Sequence, residues 1–293
     1  IHGLFVAINI TLCAGSSMFF LPNFNKELIL QQMKKATVLM GVPTFYVRLL
    51  ELPNLSQETT AHMRLFVSGS APLLAETHKR WSEVTGTAIL ERYGMTETNM
   101  NASNPYDGER RAGTVGLALP GVEVRIADPD TGKELVQGEI GSVEISGPNV
   151  FKGYWQMPEK TKEEFREDGF FITGDMGMKD KDNYLLIVGR SKDLIISGGY
   201  NVYPKEVEIV LDDIDGVFES AVIGVSHLDV GEGVLAVVVL EPGKNLTEND
   251  LKIVINEILA FYKQPKRIFF VDALPRNTMG KVLKNNLREA HKN

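Results

Sequence analysis

The sequence turns on one stretch, Glu91-Arg-Tyr-Gly-Met-Thr-Glu-Thr98, which follows a short apolar run at residues 88–90. The apolar run predicts a short buried strand, and Gly94 predicts that this strand ends in a loop. The stretch offers a cation, an aromatic ring, threonine hydroxyls and carboxylates. Charged groups are rarely buried unless they are paired or bind a ligand, and α/β proteins place ligands in loops that follow strands. The stretch therefore indicates either a ligand-binding loop or a polar surface turn.

Length and charge limit the class of protein. The chain has 293 residues, above the roughly 100–200 residues typical of one domain, so two units are expected. Its 43% hydrophobic and 24% charged residues are typical of a globular protein with a sizeable core. The net charge of −7 argues against a dedicated nucleic-acid or anionic-membrane surface. We therefore expect small-molecule partners, no nucleic acid and no membrane.

Cysteine content and hydropathy bear on location. The single cysteine, Cys13, excludes an internal disulfide, suits a reducing compartment and is predicted to be a buried apolar side chain. The sequence has no clean apolar run of about 18 residues or more, so no transmembrane helix is predicted, and it shows no signal-peptide pattern. These features favour a cytoplasmic location. Because the chain begins at Ile1, we expect a piece of a longer protein, and organelle targeting therefore stays open. A homodimer is also possible on the sequence.

Residues 1–110 alternate helical and strand-like patterns, which is typical of βαβ units with a parallel sheet. The predicted helices lie at residues 25–35, 43–50 and 74–84, and the predicted strands at 36–42, 63–67 and 88–93.

The pattern changes twice along the chain. Residues 111–189 are rich in glycine and short alternating runs, which predicts a small β-barrel-like subdomain. Residues 190–293 alternate helices and strands, including a helix capped by Thr247, and predict a small C-terminal α+β domain. The predicted fold class is therefore α/β: one large domain (1–189) with a parallel α/β subdomain and a β-rich subdomain, then the α+β domain.

Two further stretches suit a ligand. Ser68-Gly-Ser-Ala-Pro-Leu73 joins a predicted strand to a predicted helix, where small residues let a ligand approach the backbone and the helix start favours anions. Many strand-to-helix turns share this pattern. In Phe170-Phe-Ile-Thr-Gly-Asp175 a carboxylate follows an apolar run and a predicted tight turn. One carboxylate can accept hydrogen bonds from two hydroxyls, which suits a ribose; the alternative is a capped turn.

Two basic stretches lie in the C-terminal part. Gly189-Arg-Ser-Lys-Asp-Leu-Ile-Ile-Ser-Gly-Gly-Tyr200 coincides with the predicted domain boundary. It predicts a hinge followed by a close approach to a ligand, and in any case a hairpin with Gly198 and Gly199 at its turn. Pro275-Arg-Asn-Thr-Met-Gly-Lys-Val-Leu-Lys284 places a glycine before Lys281, which suits a phosphate contact or a solvated basic loop. The sequence has no His/Cys metal cluster, Walker loop or G-x-G-x-x-G pattern.

In this order and spacing, the motifs resemble those of the adenylate-forming enzymes: acyl-CoA synthetases, adenylation domains and luciferases. The resemblance extends from residue 1 to about 290. Within that family the sequence of these motifs is most similar to the malonate–CoA ligase branch. Three stretches carry this similarity: SGSAPLLAETHKRW, ERYGMTETNMNASNPYDGER and PNVFKGYWQMPEKTKEEFREDGFFITGD. The resemblance implies ATP, Mg²⁺ and coenzyme A as cofactors, and an acid–thiol ligase that forms an acyl-adenylate and then a thioester.

The resemblance also assigns roles to matching residues. Glu97 matches the Mg²⁺ ligand, Thr96 a catalytic hydroxyl that contacts phosphate, and Lys281 the lysine that stabilises charge at the α-phosphorus. The remaining nucleotide- and coenzyme-binding positions are Tyr93, Gly94, Asp175, Arg190, the hinge residue Lys192, Gly198 and Gly199 on the pantetheine path, and the loop residues Ser70, Ala71 and Pro72.

One family element is not in the sequence. The Gly/Ser/Thr-rich phosphate loop ending in Pro-Lys-Gly normally precedes the region of His2. We therefore expect that the chain alone is weak or inactive as a catalyst and that a longer parent protein is active.

The acid substrate depends on Arg92. A small dicarboxylate needs a cation for its distal charge, because an unpaired carboxylate in a closed site is costly. Arg92 is placed for this role, with Ser70 and His2 as further substrate-binding candidates, so malonate or methylmalonate is the predicted acid. The alternatives are a medium- or long-chain fatty acyl-CoA ligase, an adenylation domain that loads a carrier protein, and a non-catalytic nucleotide- or acyl-adenylate-binding module.

Overall fold

The computed structural model describes residues 2–277 and 281–291. The chain divides into two compact units. The first unit comprises Ile1–Thr173 and Met178–Ile187, and the second comprises Gly174–Gly177 and Val188–Asn293. No helix in the described part of the chain is long and apolar enough to cross a membrane.

A five-stranded sheet forms the centre of the first unit. Strands β1 (Val38–Gly41), β2 (Leu65–Ser68) and β3 (Leu90–Met95) pair in parallel in that order. Strand β4 (Asn99–Ser103) returns antiparallel against β3, and β5 (Leu117–Ala118) pairs antiparallel with β4. The predicted α/β class with a parallel sheet is therefore confirmed, and the carboxyl ends of β2 and β3 lie at one edge of the sheet.

Helices connect the parallel strands, as the alternating pattern predicts. Helix α3 (Pro43–Leu50) begins at a proline, whose missing N–H costs no hydrogen bond in the first turn, and α5 (Ala75–Thr85) connects β2 to β3. The other helical segments of this unit are a π-helical segment (His2–Asn9), α1 (Ile10–Cys13), α2 (Lys26–Met33), α4 (Gln57–Thr60) and α6 (Pro158–Glu163).

An aromatic cluster fixes these helices to the sheet. Trp81 packs edge-on against Tyr46 and Phe66, with ring centroids 4.8 and 5.0 Å apart. All three side chains are fully buried. The Tyr46 hydroxyl donates a hydrogen bond to the Val67 carbonyl at 2.6 Å, so the one polar atom of that ring is satisfied inside the core.

A second sheet follows in the region where the glycine-rich pattern predicts a small β-barrel-like subdomain. Its four strands are β6 (Glu123–Ala127), β7 (Gly141–Ser146), β8 (Phe171–Lys179) and β9 (Leu185–Arg190), in that order. Alternating residues of β6 are buried, which is typical of a sheet with one face on a core.

The second unit is an α+β domain built on a mixed sheet. Its order is β11 (Tyr200–Val202), β10 (Ile195–Ser197), β13 (Gly231–Leu240) and β12 (Val217–His227). Strand β14 (Arg267–Phe270) pairs in parallel with β13.

Three helices complete the second unit. They are α7 (Pro204–Asp212), α8 (Glu248–Ile258) and α9 (Lys284–Ala290), with 3-10 turns at Ser191–Asp193 and Phe261–Lys263. Thr247 caps α8 as predicted: its hydroxyl accepts the Asp250 N–H, and the Asp250 carboxylate accepts the Thr247 N–H at 2.8 Å. This reciprocal capping box satisfies donors that a helix start otherwise leaves unpaired.

The prediction for Cys13 is wrong, because this side chain is exposed. It ends α1, a helix of four residues that buries none of them.

Asp212, at the end of α7, is a half-buried carboxylate in the second unit. It accepts a hydrogen bond from the Ser220 hydroxyl at 2.7 Å, and the Lys205 ammonium lies 3.8 Å away. Desolvation by burial, offset in part by Lys205, raises the pKa of Asp212 from its ordinary 3.8 to about 6. The folded state therefore binds more protons than the unfolded state between these two values, so stability falls as the pH rises through this window and stays lower above it.

We expect Asp212→Asn to increase the free energy of unfolding at pH 7.5 by about 1–2 kcal/mol, because the half-buried charge is removed while an acceptor for Ser220 is kept. The gain should shrink towards pH 4.5, where the wild-type carboxyl is protonated. Urea denaturation at both pH values measures this, with the exposed neighbour Asp213→Asn as the matched control. An equal effect at the two pH values would contradict the assignment.

Candidate active site

Strands β3 and β4 form a hairpin that carries the central stretch of sequence. The prediction that Gly94 ends the strand is wrong: Gly94 lies inside β3 and pairs with Met100. The pairing register shifts between Tyr93 and Gly94, so the hairpin is irregular at this point. A Cβ atom at position 94 would lie 2.0 Å from the Asn99 carbonyl oxygen. Glycine therefore stands here because the returning strand approaches too closely for a side chain.

The turn of this hairpin carries the proposed metal ligand. Thr96 is exposed, Glu97 is half-buried and Thr98 is fully buried. The Tyr154 hydroxyl lies 3.1 Å from Glu97 Oε1 and donates a hydrogen bond to it. Desolvation and the charge of Glu97 raise the pKa of Tyr154 to about 12, so the phenol stays protonated at neutral pH. The sequence did not single out Tyr154, although this residue lies in the stretch PNVFKGYWQMPEKTKEEFREDGFFITGD that resembles the family.

Arg92 places a positive charge in a partly apolar setting on β3. Its side chain is half-buried, with Nη2 3.9 Å from the Met40 sulfur and with Tyr46 as an electrostatic neighbour. Burial lowers the pKa of Arg92 and raises that of Tyr46. Because a guanidinium remains protonated in proteins, Arg92 keeps its charge at this position.

The Ser68-to-Leu73 loop emerges beside the Arg92 strand. Ser68, the last residue of β2, is aligned with Glu91 on β3, so the loop leaves the sheet next to Arg92 while β3 continues into its pairing with β4. Within the loop, Ser70 is exposed and adopts a left-handed conformation, with φ of 70°. Left-handed conformations are uncommon for residues other than glycine and occur at ligand-binding turns.

The other predicted residues of the first unit are Ala71, Pro72 and His2. Ala71 is half-buried and Pro72 is exposed. His2 belongs to the π-helical segment, and its side chain lies outside the described part of the chain.

In the second unit the structure brings four predicted residues together. Asp175 is 4% exposed, and its Oδ1 forms an ion pair with Arg190 Nε at 2.7 Å. Lys281 has Asp175, Arg190 and Lys192 as electrostatic neighbours. Partial burial and then the Arg190 charge lower the pKa of Lys281, although Asp175 opposes this shift. The prediction of a tight turn before Asp175 is wrong, because Gly174 continues strand β8 through this position.

Two hydrogen bonds connect Lys281 to Asn277. The Lys281 N–H donates to Asn277 Oδ1, and the Asn277 N–H donates to the Lys281 carbonyl, both at 2.9 Å. Thr278, Met279 and Gly280 of the predicted motif lie outside the described residues.

The predicted hairpin at the Gly-Gly pair is confirmed. Strands β10 and β11 are joined by Gly198 and Gly199, whose φ angles are 59° and 82°. Both central residues of this turn type need positive φ, which glycine adopts without strain. Lys192, the predicted hinge residue, is exposed in the 3-10 turn, and the neighbouring Asp193 binds Arg288 at 2.7 Å.

The donor set at the hairpin turn fits a magnesium ion. Oε2 of Glu97 has no hydrogen-bond partner in residues 2–277 and 281–291, which leaves one oxygen available to a hard cation. No group of three or more His, Cys, Asp or Glu side chains gathers in those ranges. Mg²⁺ needs only one or two protein carboxylates when it also binds phosphates and water. Glu97 could hold such an ion.

Comparison with known proteins places the chain in a family. A sequence profile described as AMP-binding enzyme matches residues 1–155, and one described as AMP-binding enzyme C-terminal domain matches residues 206–281. The chain therefore belongs to the AMP-binding enzyme family.

The chain is similar to several CoA ligases and to a solved MatB structure. The malonate–CoA ligase of Arabidopsis thaliana is 38% identical over 100% of this chain and 53% of its own length. The long-chain-fatty-acid–CoA ligase of Bacillus subtilis is 36% identical over 99% of this chain and 52% of its own length. The crystal structure of ATP-bound MatB from Rhodopseudomonas palustris is 64% identical, with a TM-score of 0.97, and covers 100% of this chain and 58% of its own. The chain thus spans about half the length of the curated relatives it matches.

We expect Gly94→Ala to lower the free energy of unfolding by about 2–4 kcal/mol, because the new methyl group meets the Asn99 carbonyl and the hairpin must open. Thermal and urea denaturation measure this change. Gly3→Ala is the matched control, since no atom lies within 4 Å of a Cβ atom at that position. Equal stability of the two variants would show that the hairpin relaxes without cost.

Proposed function

We propose that the chain is part of an ATP-dependent acid–CoA ligase that acts on malonate or methylmalonate. The observation that carries this proposal is the half-buried Arg92 guanidinium on the same hairpin as Glu97. A charged acid and a metal-bound nucleotide can then bind to one structural element. The 64% identity to ATP-bound MatB and the 38% identity to a malonate–CoA ligase support the same reading.

The chemistry proceeds in two displacements. A carboxylate oxygen of the acid attacks the α-phosphorus of ATP, the bond to the β,γ-diphosphate breaks, and an acyl-adenylate and pyrophosphate form. The sulfur of coenzyme A then attacks the acyl carbon, its proton is lost, and AMP leaves with the bonding electrons. The first displacement converts a poor electrophile into a reactive mixed anhydride, which is the reason that ATP is consumed.

The residues of the first unit bind and orient the nucleotide and the acid. We assign adenine packing to Tyr93, a phosphate contact to Thr96 and the Mg²⁺ ligand to Glu97; the bound Mg²⁺ supplies positive charge to the phosphates. Arg92 meets the distal carboxylate of the acid, and the Ser70 loop leaves the sheet next to Arg92.

The residues of the second unit bind the ribose and stabilise charge. We assign the ribose hydroxyls to Asp175 and the second nucleotide contact to Arg190, which are already paired at 2.7 Å. Lys281 stabilises the charge that develops at the α-phosphorus, a contribution often worth a few kcal/mol. We further propose that residues 190–293 form a mobile domain that turns about Lys192, and that the pantetheine arm passes Gly198 and Gly199.

A fatty acyl-CoA ligase is the second candidate, because a long-chain ligase is 36% identical over nearly all of the chain. A non-catalytic nucleotide-binding module is a candidate of a different class. The position of Arg92 separates the first two, since a half-buried cation opposes an apolar acyl chain and favours a second carboxylate.

We expect the 293-residue chain alone to form little or no malonyl-CoA from malonate, ATP, Mg²⁺ and coenzyme A, because it spans only about half the length of its malonate–CoA ligase relative. The full-length malonate–CoA ligase of Arabidopsis thaliana serves as the active control. An HPLC assay for the thioester measures both. Robust synthesis by the chain alone would contradict the expectation. Calorimetry with AMP and with an acyl-sulfamoyl-adenosine separates a binding module, which binds them, from a collapsed chain, which does not.

We expect Arg92→Ala, in the protein with its natural flanking sequence, to lower kcat/KM for malonate by about 100-fold or more, because the distal carboxylate loses its counter-charge. The value for acetate or propionate should fall by less than about tenfold, since these acids have no distal charge. Arg64→Ala, an exposed arginine of the same unit, is the matched control. An equal loss on all acids would assign Arg92 to folding or to ATP binding instead.

A further inference from the structure

We propose that Tyr154 is a positioning residue that fixes the orientation of the Glu97 carboxylate for Mg²⁺ binding. This inference rests on the proposed function, in which Glu97 holds the ion. Its central observation is the 3.1 Å hydrogen bond from the Tyr154 hydroxyl to Glu97 Oε1. The hydroxyl occupies one carboxylate oxygen and leaves Oε2 directed to other ligands. Groups that hydrogen-bond to metal-binding carboxylates hold them in place and contribute to metal affinity.

The Tyr154 side of this contact is itself constrained. The Tyr154 ring packs edge-on against the Phe151 ring, with centroids 4.8 Å apart. Its backbone N–H donates to the Thr161 hydroxyl at 2.9 Å, which ties it to α6. A hydroxyl that is anchored by packing and by its backbone restricts the carboxylate more than a freely rotating side chain would.

The same segment holds the Glu97 backbone. The Phe151 N–H donates to the Glu97 carbonyl at 2.8 Å. The Phe151 ring in turn packs against Phe165 and Phe171, with centroids 5.9 and 5.3 Å away. Glu97 is therefore held at two points, its carbonyl and its carboxylate, by residues only three positions apart in the chain.

Asn149 provides a third support for the turn that carries Glu97. Its side-chain amide donates to the Thr98 carbonyl at 2.7 Å and to the Met100 carbonyl at 3.2 Å. The flank of Glu97 that leads into β4 thus cannot shift without breaking these bonds. Residues 149–154 act as a support for the hairpin turn, and Tyr154 is the member that reaches the carboxylate.

Tyr154→Phe removes the hydroxyl and keeps the ring that packs on Phe151. Isothermal titration calorimetry of ATP binding at increasing Mg²⁺ concentration gives the apparent Mg²⁺ dissociation constant without requiring turnover. We expect a rise of about tenfold in Tyr154→Phe, the lower end of the effect of losing such a support. The protein carries its natural flanking sequence, and the KM for malonate should change by less than about twofold. Tyr106→Phe, which also loses one exposed hydroxyl in the first unit, should leave the Mg²⁺ constant unchanged.

Glu97→Gln separates the inference from the proposed function. We expect this variant to weaken Mg²⁺ binding at least as much as Tyr154→Phe, and the double variant to be no weaker than Glu97→Gln alone, because both changes act through one carboxylate. If Glu97→Gln binds Mg²⁺ normally, the metal role of Glu97 is wrong and the inference fails with it. If Glu97→Gln is impaired while Tyr154→Phe binds Mg²⁺ as the wild type does, or more tightly, only the role of Tyr154 is overturned.

Discussion

The close approach of two strands at Gly94 is the constraint on which the candidate site of the first unit depends. The returning strand leaves no room for a side chain at this position, since its carbonyl would lie 2.0 Å from a Cβ atom. At this contact the last strand of the parallel sheet pairs with an antiparallel return strand. The hairpin then presents Arg92 on one strand and Glu97 on its turn. A cation that can meet an acid and an anion that can hold a metal thus belong to one short element.

The hairpin is supported from two sides. On one side β3 is the third parallel strand of a sheet whose helices are fixed by the buried Trp81 cluster. On the other side residues 149–154 bind the turn through Asn149, the Phe151 backbone and the Tyr154 hydroxyl. Local sequence supplies the functional groups, and both supports come from residues distant in the chain. Mutations in the support can therefore alter the chemistry without removing any group that touches substrate.

The second unit holds its functional groups by charge pairing. Asp175 is almost fully buried, and such a carboxylate is costly unless it is paired, which the Arg190 guanidinium achieves at 2.7 Å. Lys281 lies in the field of both groups and is fixed by the Asn277 side chain. A ribose requires acceptors for the hydrogen bonds of its hydroxyls, and a phosphate requires positive charge. This cluster contains both kinds of group.

The sequence alone determined the fold class, the three parallel strands with helices between them, and the chemical types of the site residues. Periodicity located α3, α5 and α8, because apolar spacing and capping residues act within a few positions of the chain. The tertiary structure decided what sequence reasoning misread: Gly94 and Gly174 continue strands instead of ending them, and Cys13 is exposed. It also revealed Tyr154 beside Glu97. The physical reason is the same in each case. A glycine's neighbours across a sheet, the burial of a side chain and the partner of a carboxylate are set by contacts between segments far apart in sequence, and local patterns carry no record of them.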